Sequence, residues 1–113
     1  MRLPCTLRCQ ACGAEYSASE LVWRCRCGGV LDLVCSPEVF EPDPALRGVW
    51  RYWRSLPVEP SSRISLGEGG TPLIERELLG VRALLKLEYL NPTGSFKDRG
   101  STVVVSHLRE LGV

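Results

Sequence analysis

The chain has 113 residues, of which 44% are hydrophobic and 24% charged, and its formal net charge is +1. This size and composition fit a globular protein with one modest core or two small units. They exclude a membrane-spanning segment, because no apolar run approaches the ~20 residues required. They also argue against nucleic-acid binding, because acidic and basic residues are interleaved. The N-terminal sequence MRLPCTLRCQACG lacks the apolar segment of a secretory signal, so the expected location is the cytoplasm.

Residues 1–36 contain all six cysteines and predict a small β-rich unit of the zinc-ribbon type. Cys9 and Cys12 form a C-x2-C knuckle, and Cys25 and Cys27 follow as a shorter C-x-C pair. Four thiolates are the ligand set of a closed structural zinc site, and a reducing cytosol favours metal ligation over disulfides. The shorter second pair leaves a second interpretation open, in which the ribbon is degenerate and keeps its shape through its core.

Short apolar segments predict the strands of this unit. The run VLDLV at 30–34 alternates around Asp32 as a half-buried strand does, and a Gly-Gly pair before it marks a turn. Cys5 and Cys35 lie outside the knuckles and are expected to be buried as small hydrophobic residues.

Residues 37–66 predict a proline-rich linker that contains one helix. Five of the eight prolines fall in this segment. Asp43 suits the N-cap of the helix and Pro44 its first position. The apolar residues that follow at helical spacing are Leu46, Val49, Trp50 and Trp53. The aromatic side chains are expected to pack against a neighbouring element.

Residues 67–113 predict the start of an α/β domain, with strands expected at 71–74 and 83–90. The second strand ends before the turn dipeptide Asn91-Pro92. A parallel α/β sheet needs further βα units to cover both of its faces, so the chain is expected to be truncated.

A helix is expected to begin near Ser95, with Asp98 as its capping-box partner. The predicted apolar face consists of Val104, Leu108 and Leu111, and Gly112 suits the C-cap.

Lys97 stands in the first turn of this predicted helix, where the aligned peptide dipoles present partial positive charge. That environment favours the neutral amine, which is the nucleophile toward an aldehyde. Lys86 is the only other lysine beside twelve arginines, and its alternation with apolar neighbours predicts an outward-facing, solubilising charge. From the residues alone, a solvated or ion-paired role for Lys97 remains an open alternative.

Three segments resemble one enzyme family in the same order. NPTGSFKDRG at 91–100 is similar to the lysine loop of the fold-type II pyridoxal-phosphate-dependent enzymes, the family of threonine synthase, threonine dehydratase and cysteine synthase. SLGEGGTPLI at 65–74 and GVWRYWRSLP at 48–57 are similar to segments of threonine synthase. Many chains of that kind also open with a zinc-ribbon-like unit, so the resemblance covers most of the sequence.

The resemblance implies a tryptophan-synthase-β-like α/β fold and makes Lys97 the catalytic lysine that holds pyridoxal 5'-phosphate and moves protons on the substrate. It places Ser95 and Phe96 beside the cofactor ring and the loop 67–72 near the active site. For that loop, a tight turn before a strand is the alternative. A Zn²⁺ ion would have a structural role, and its ligands would be Cys9, Cys12, Cys25 and Cys27.

The implied activity is that of a lyase in threonine biosynthesis, which converts O-phospho-L-homoserine and water to L-threonine and phosphate by β,γ-replacement. The substrate is a small amino acid, and the resemblance allows a homodimer for the complete protein. The other cofactor contacts of the family lie further downstream, so the chain alone is expected to be inactive.

Two alternatives remain open for the function. One is another fold-type II lyase, such as a cysteate synthase or a threonine-dehydratase-like enzyme. The other is a zinc-ribbon binding module for a protein or nucleic-acid partner, which would leave residues 65–112 unexplained.

Overall fold

A three-stranded antiparallel sheet forms the cysteine-rich part of the chain. The computed structural model describes residues 3–36 and 40–113, so residues 37–39, where the predicted linker begins, lie outside the described residues. The strands are β1 (Cys5–Cys9), β2 (Glu15–Ser17) and β3 (Leu31–Cys35), in the order β2-β1-β3. Leu7 pairs with Tyr16 on one side and with Leu33 on the other. The strand predicted at 30–34 is confirmed with a shift of its ends.

Cys5 and Cys35 form a disulfide bond, which corrects the expectation of two buried thiols. The two residues are partners in the register of β1 and β3, and their Cα atoms lie 4.3 Å apart. Directly paired cross-strand positions bring the two side chains within reach of one another. Sequence spacing could not reveal this pair, because the cysteines are 30 residues apart and meet only through the strand register.

The helix predicted in the linker is wrong in its type and in its start. A 3₁₀ helix spans Gly48–Ser55, whereas Asp43 and Pro44 lie before it in a turn. Gly48 has a φ of 61°, a left-handed value that a right-handed helix running on from Pro44 could not contain. The spacing of the apolar residues from Val49 onward therefore indicates a helix correctly, and Gly48 determines where that helix begins.

A hairpin of β4 (Leu73–Leu78) and β5 (Val81–Lys86) forms the second sheet. Its turn residues Leu79 and Gly80 both have positive φ, 51° and 77°, as a type I′ turn requires. A two-residue connection joins only antiparallel strands, so the parallel arrangement expected here is wrong for this pair. The predicted strand spans are confirmed in part, because β4 starts later and a 3₁₀ turn at Glu88–Leu90 follows β5.

The last element is the α-helix α1 (Asp98–Glu110). The C-cap is Leu111, and Gly112 follows it with a φ of 79°, so the glycine predicted as the C-cap ends the helix from one position further on. The helix begins later than expected, at Asp98 instead of near Ser95.

The buried face of α1 differs from the predicted one. The buried positions are Asp98, Thr102 and Ser106, which are spaced by four residues and carry small polar side chains. Val104 on the predicted apolar face is 58% exposed, and Leu108 is half-buried. Hydrophobic periodicity missed these positions because the most buried residues of the helix are polar, and Thr102 and Ser106 make hydrogen bonds to the segment at Ile64.

A small apolar core lies between the 3₁₀ helix and α1. Val49, Trp50 and Val58 are buried, and Val58 has no exposed surface. The indole Nε1 of Trp50 donates to Thr102 Oγ1 at 3.0 Å. This confirms that the aromatic residues of the linker pack against a neighbouring element. Within the described residues, no helix combines the length and the hydropathy needed to cross a membrane.

Candidate functional site

Lys97 joins the lysine loop, defined as residues 91–97, to α1. Its backbone is already helical, with φ −63° and ψ −22°, and its N–H donates to Ser95 Oγ at 3.2 Å. The side chain is exposed, and Nζ lies 5.9 Å from the centre of the Phe96 ring, which is also exposed. Within the described residues, Nζ has no carboxylate partner, so the ion-paired alternative is not seen. Lys97 therefore presents an accessible primary amine beside an aromatic face.

The lysine loop is closed by a buried carboxylate. Asp98 accepts the Thr93 N–H at 2.8 Å and the Thr93 hydroxyl at 2.5 Å, and Gly94 between them has a φ of 79°. The predicted capping box of Ser95 with Asp98 is wrong, because Asp98 is committed to Thr93. These bonds fix the conformation of the loop and hold the Lys97 backbone at the start of the helix.

A polar network connects the lysine loop to the loop 67–72. The Gly69 N–H donates to Asn91 Oδ1 at 2.9 Å. Arg99 forms a two-pronged pair with Glu88, through Nε to Oε2 and Nη2 to Oε1, both at 2.8 Å. Thr71 completes the network, because its hydroxyl donates to Glu88 at 2.6 Å and accepts from Arg99 at 3.0 Å.

The network changes the acidity of Glu88. Hydrogen bonds from Arg99, followed by that from Thr71, lower the pKa of the Glu88 carboxyl from 4.5 to about 2. A carboxyl with a lowered pKa in the folded chain stabilises the fold above the pKa of the unfolded chain, and this contribution is lost as the pH falls toward the lower value.

We expect the free energy of unfolding to fall between about pH 4.5 and about pH 2, in part through Glu88. In Glu88→Gln this part of the pH dependence should be absent, which urea denaturation at a series of pH values would measure. Glu77→Gln, an exposed carboxyl in β4, is the control and should follow the unsubstituted chain. Identical pH slopes for Glu88→Gln and Glu77→Gln would contradict the prediction.

The segment 48–57 reaches the same region through its backbone. The Val49 N–H donates to the Glu68 carbonyl at 2.9 Å, and a Cβ on Gly48 would lie only 2.0 Å from that oxygen. The Thr102 hydroxyl, which accepts from Trp50, donates to the Ile64 carbonyl at 2.6 Å. The three segments that resemble one family in sequence are therefore in contact with one another in space.

Lys86 is exposed, as expected for an outward-facing charge, and its Nζ also donates to the Thr71 carbonyl. Sequence reasoning missed the joint role of Thr71, Glu88 and Asn91. Glu88 and Asn91 lie in one turn, where the Asn91 amide donates to the Glu88 carbonyl at 2.8 Å. Thr71 comes from a different segment and meets Glu88 only across the loops, so no local pattern indicates that contact.

The four knuckle cysteines converge at one point. The sulfur atoms of Cys9, Cys12, Cys25 and Cys27 all lie within 4.8 Å of one another. Two pairs, Cys9 with Cys27 and Cys12 with Cys25, have Sγ–Sγ distances of 3.6 Å. Tetrahedral zinc with Zn–S bonds of ~2.3 Å implies sulfur separations of about 3.8 Å. The donor set and its spacing therefore fit a four-thiolate zinc site, and the shorter C-x-C pair does not prevent convergence.

Tyr16 adds a contact to the cluster that sequence reasoning missed. Its hydroxyl lies 3.1 Å from Cys25 Sγ and accepts the Arg26 N–H at 3.1 Å. The hydrogen bond with Tyr16 is the main cause that lowers the pKa of Cys25 to about 6. At Cys27 the Gly29 backbone lowers the pKa, but the neighbouring sulfurs outweigh it and raise the pKa to about 12. Thiolates this close repel one another, and a divalent cation between them would offset that repulsion.

Comparisons with known proteins show what the chain is similar to in sequence. Residues 64–112 match the family model described as pyridoxal-phosphate dependent enzyme. The chain is 47% identical over 120 aligned residues to the threonine synthase of Methanocaldococcus jannaschii, an alignment that covers 94% of this chain and 29% of the relative. It is 42% identical to the threonine synthase of Methanosarcina acetivorans, with 95% and 29% covered.

A third relative is matched over a shorter stretch. The threonine synthase of Halalkalibacterium halodurans is 50% identical over 66 residues, which cover 54% of this chain and 19% of the relative. The chain thus spans less than a third of the length of these relatives. The two longer alignments include the cysteine unit as well as the lysine loop. Residues 64–112 therefore carry the sequence of the pyridoxal-phosphate-dependent enzyme family, and the chain is similar to threonine synthases over most of its own length.

Proposed function

We propose that the chain is the N-terminal portion of a lyase that converts O-phospho-L-homoserine and water to L-threonine and phosphate by β,γ-replacement. The observation that carries this proposal is a chain of contacts: the segment 48–57 bonds to the loop 67–72, and that loop bonds to the loop that bears Lys97. The relatives named threonine synthase support the choice of reaction. Because the chain spans 29% of those relatives, the activity belongs to the complete enzyme and the chain alone is inactive.

Lys97 is the residue proposed to hold pyridoxal 5'-phosphate covalently, with Ser95 and Phe96 beside the ring. The exposed amine, which has no carboxylate partner among residues 3–36 and 40–113, fits that role, since an accessible amine is what an aldehyde requires. When bound, the cofactor supplies an electron sink for negative charge that develops on the substrate carbons. The Lys97 amine removes the proton from the substrate α carbon and returns it at the end of the reaction.

The neighbouring residues position this amine. Asp98 and Thr93 hold the loop, and Arg99 with Glu88 connects the first turn of α1 to the loop 67–72. A group that transfers protons loses rate steeply when it is displaced by about 1 Å. Buried hydrogen bonds around the loop therefore serve catalysis by keeping the lysine backbone in place.

The second part of the proposal concerns the cysteine unit, residues 1–36. It binds one structural zinc ion through Cys9, Cys12, Cys25 and Cys27, supported by the sulfur separations. Four thiolates leave no open position for chemistry on the metal. In this division of the chain, residues 37–66 form the linker and residues 67–113 begin the domain that binds the cofactor.

The two alternative lyase types can be distinguished by the substrate that the complete enzyme converts. For the complete enzyme we expect phosphate and L-threonine in equal amounts from O-phospho-L-homoserine, measured by a phosphate assay and amino-acid analysis. Deamination of L-threonine without release of phosphate would instead favour the dehydratase type. Formation of L-cysteate from O-phospho-L-serine and sulfite, with release of phosphate and without turnover of O-phospho-L-homoserine, would favour the cysteate synthase type.

A binding module predicts a different set of results. It would show no turnover with any of these substrates and no absorbance from a bound cofactor. The experiment therefore distinguishes an enzyme from a module as well as one lyase from another.

A further inference from the structure

A cavity of about 450 Å³ lies beside the polar network and is lined by cations. Arg47, Arg51, Lys86 and Arg99 contribute to its wall, and none of the described residues that line it is Asp or Glu. Grouped cations that outnumber their counter-charges repel one another, so such a cluster attracts an anion. Neither the cofactor site nor the cysteine cluster includes Arg47, Arg51 or Lys86.

The positive charge of the cavity is only partly neutralised within the described residues. Arg99 is paired with Glu88 at 2.8 Å, whereas the partner of Lys86 in this part of the chain is the uncharged carbonyl of Thr71. An ammonium has three N–H donors, so two remain for a ligand.

The two other arginines of the cavity are also available. Arg47 and Arg51 are exposed, and in the described part of the chain neither has a carboxylate within ion-pair distance. Each guanidinium brings a planar set of five donors, the geometry that matches two oxygens of a phosphate.

Glycines form the part of the wall that an anion can approach. Gly48 and Gly70 both have a φ of 61°, and a Cβ on Gly70 would lie 3.7 Å from the Gly48 Cα. The backbones on the two sides of the cavity therefore cross closely, without side chains between them. This crossing holds the arginines next to Gly48 near Lys86, which lies on a different segment.

We propose that this cavity binds a phosphate group, either as inorganic phosphate or as the phosphate of a small monoester. A tetrahedral dianion suits the three available cations Arg47, Arg51 and Lys86, which approach it from two segments of the chain. Bidentate bonds between a guanidinium and a phosphate are among the strong charge-assisted hydrogen bonds. The cavity is larger than one phosphate ion, so it accommodates a short organic group as well. The site stands independently of the cofactor role of Lys97, and only its use for the monoester O-phospho-L-homoserine depends on the proposed function.

Isothermal titration calorimetry on the chain at constant ionic strength tests the proposal. The probes are inorganic phosphate and O-phospho-L-homoserine, with chloride as the reference anion. We expect saturable binding of at least one phosphate compound, weakened at least about tenfold in Arg47→Gln/Arg51→Gln and in Lys86→Gln, because charge-assisted bonds are lost. Arg63→Gln, an exposed arginine outside the cavity, should bind as the unsubstituted chain does.

The outcomes separate the two sources of the phosphate group. Binding of the monoester alone would assign the site to the substrate, and binding of inorganic phosphate alone would assign it to the released product. Binding that persists in Lys97→Ala, whatever the activity of the complete enzyme, keeps the site independent of the proposed function. No saturable binding of either compound, or equal affinities in Arg63→Gln and both cavity variants, would overturn the proposal.

Circular dichroism on each variant shows whether its fold is retained, and Lys86→Gln decides the case if the double variant unfolds.

Discussion

Replacing Lys97 by alanine should abolish covalent cofactor binding in the complete enzyme and lower turnover by at least about a thousandfold. General acid–base catalysis alone contributes about 10²–10⁴ in rate, and the same side chain is proposed to hold the cofactor. Lys97 is one of only two lysines in the sequence, and its amine is exposed at the start of α1. The absorbance of the bound cofactor and the rate of phosphate release measure the two effects separately.

Two further variants sharpen this test. Lys97→Arg keeps the positive charge but removes the primary amine, so it should lose the covalent cofactor just as Lys97→Ala does. Arg109→Ala changes an exposed cation on the same helix and should keep both the absorbance and the rate. A normal cofactor spectrum in Lys97→Arg would mean that another group holds the cofactor.

A mass-spectrometric experiment gives a readout that does not depend on activity. Borohydride treatment of the enzyme loaded with pyridoxal 5'-phosphate should fix the label on the peptide that contains Lys97. Recovery of the label on the peptide that contains Lys86 would refute the assignment.

Local patterns predicted the elements whose geometry depends on nearby residues. The strand around Asp32 and the glycine that ends α1, Gly112, lie where the sequence indicates them. Glycines and alternation act within a few residues, so their signal survives without knowledge of the fold. The spacing of the cysteines indicates the two knuckles, but the short sulfur contacts join Cys9 to Cys27 and Cys12 to Cys25, so the convergence of the four thiols depends on contacts between the knuckles.

Contacts between distant segments could not be predicted in this way. The Cys5–Cys35 disulfide depends on strand register, and the buried face of α1 depends on what the 3₁₀ helix presents to it. Thr102 is buried because the indole of Trp50 meets its hydroxyl, an interaction across 52 positions of sequence. Helical periodicity carries no information about such a partner. It therefore predicts the aliphatic residues of α1, and not Thr102, as the buried face.

Zinc should be the main source of stability of the cysteine unit. Its buried apolar surface is small, since Cys9 and Cys25 are themselves among the buried residues. A core of that size contributes little to stability, whereas a four-thiolate zinc site contributes about 10–16 kcal/mol of apparent binding free energy at neutral pH. The disulfide between Cys5 and Cys35 closes the far end of β1 and β3, outside the cluster.

We therefore expect about one zinc ion per chain by metal analysis, and loss of most of it in Cys9→Ser or Cys25→Ser. These variants, and the unsubstituted chain treated with a chelator, should lose the circular dichroism signal of residues 1–36 at a lower temperature. Cys5→Ser is the matched control, because it removes a cysteine from the same sheet without touching the cluster, and it should retain the metal. Cobalt substitution adds a direct readout, since four thiolates around the ion give an intense charge-transfer band that Cys12→Ser should weaken. A zinc content near zero in a chain that keeps its fold would show that the ribbon is held by its core and its disulfide instead.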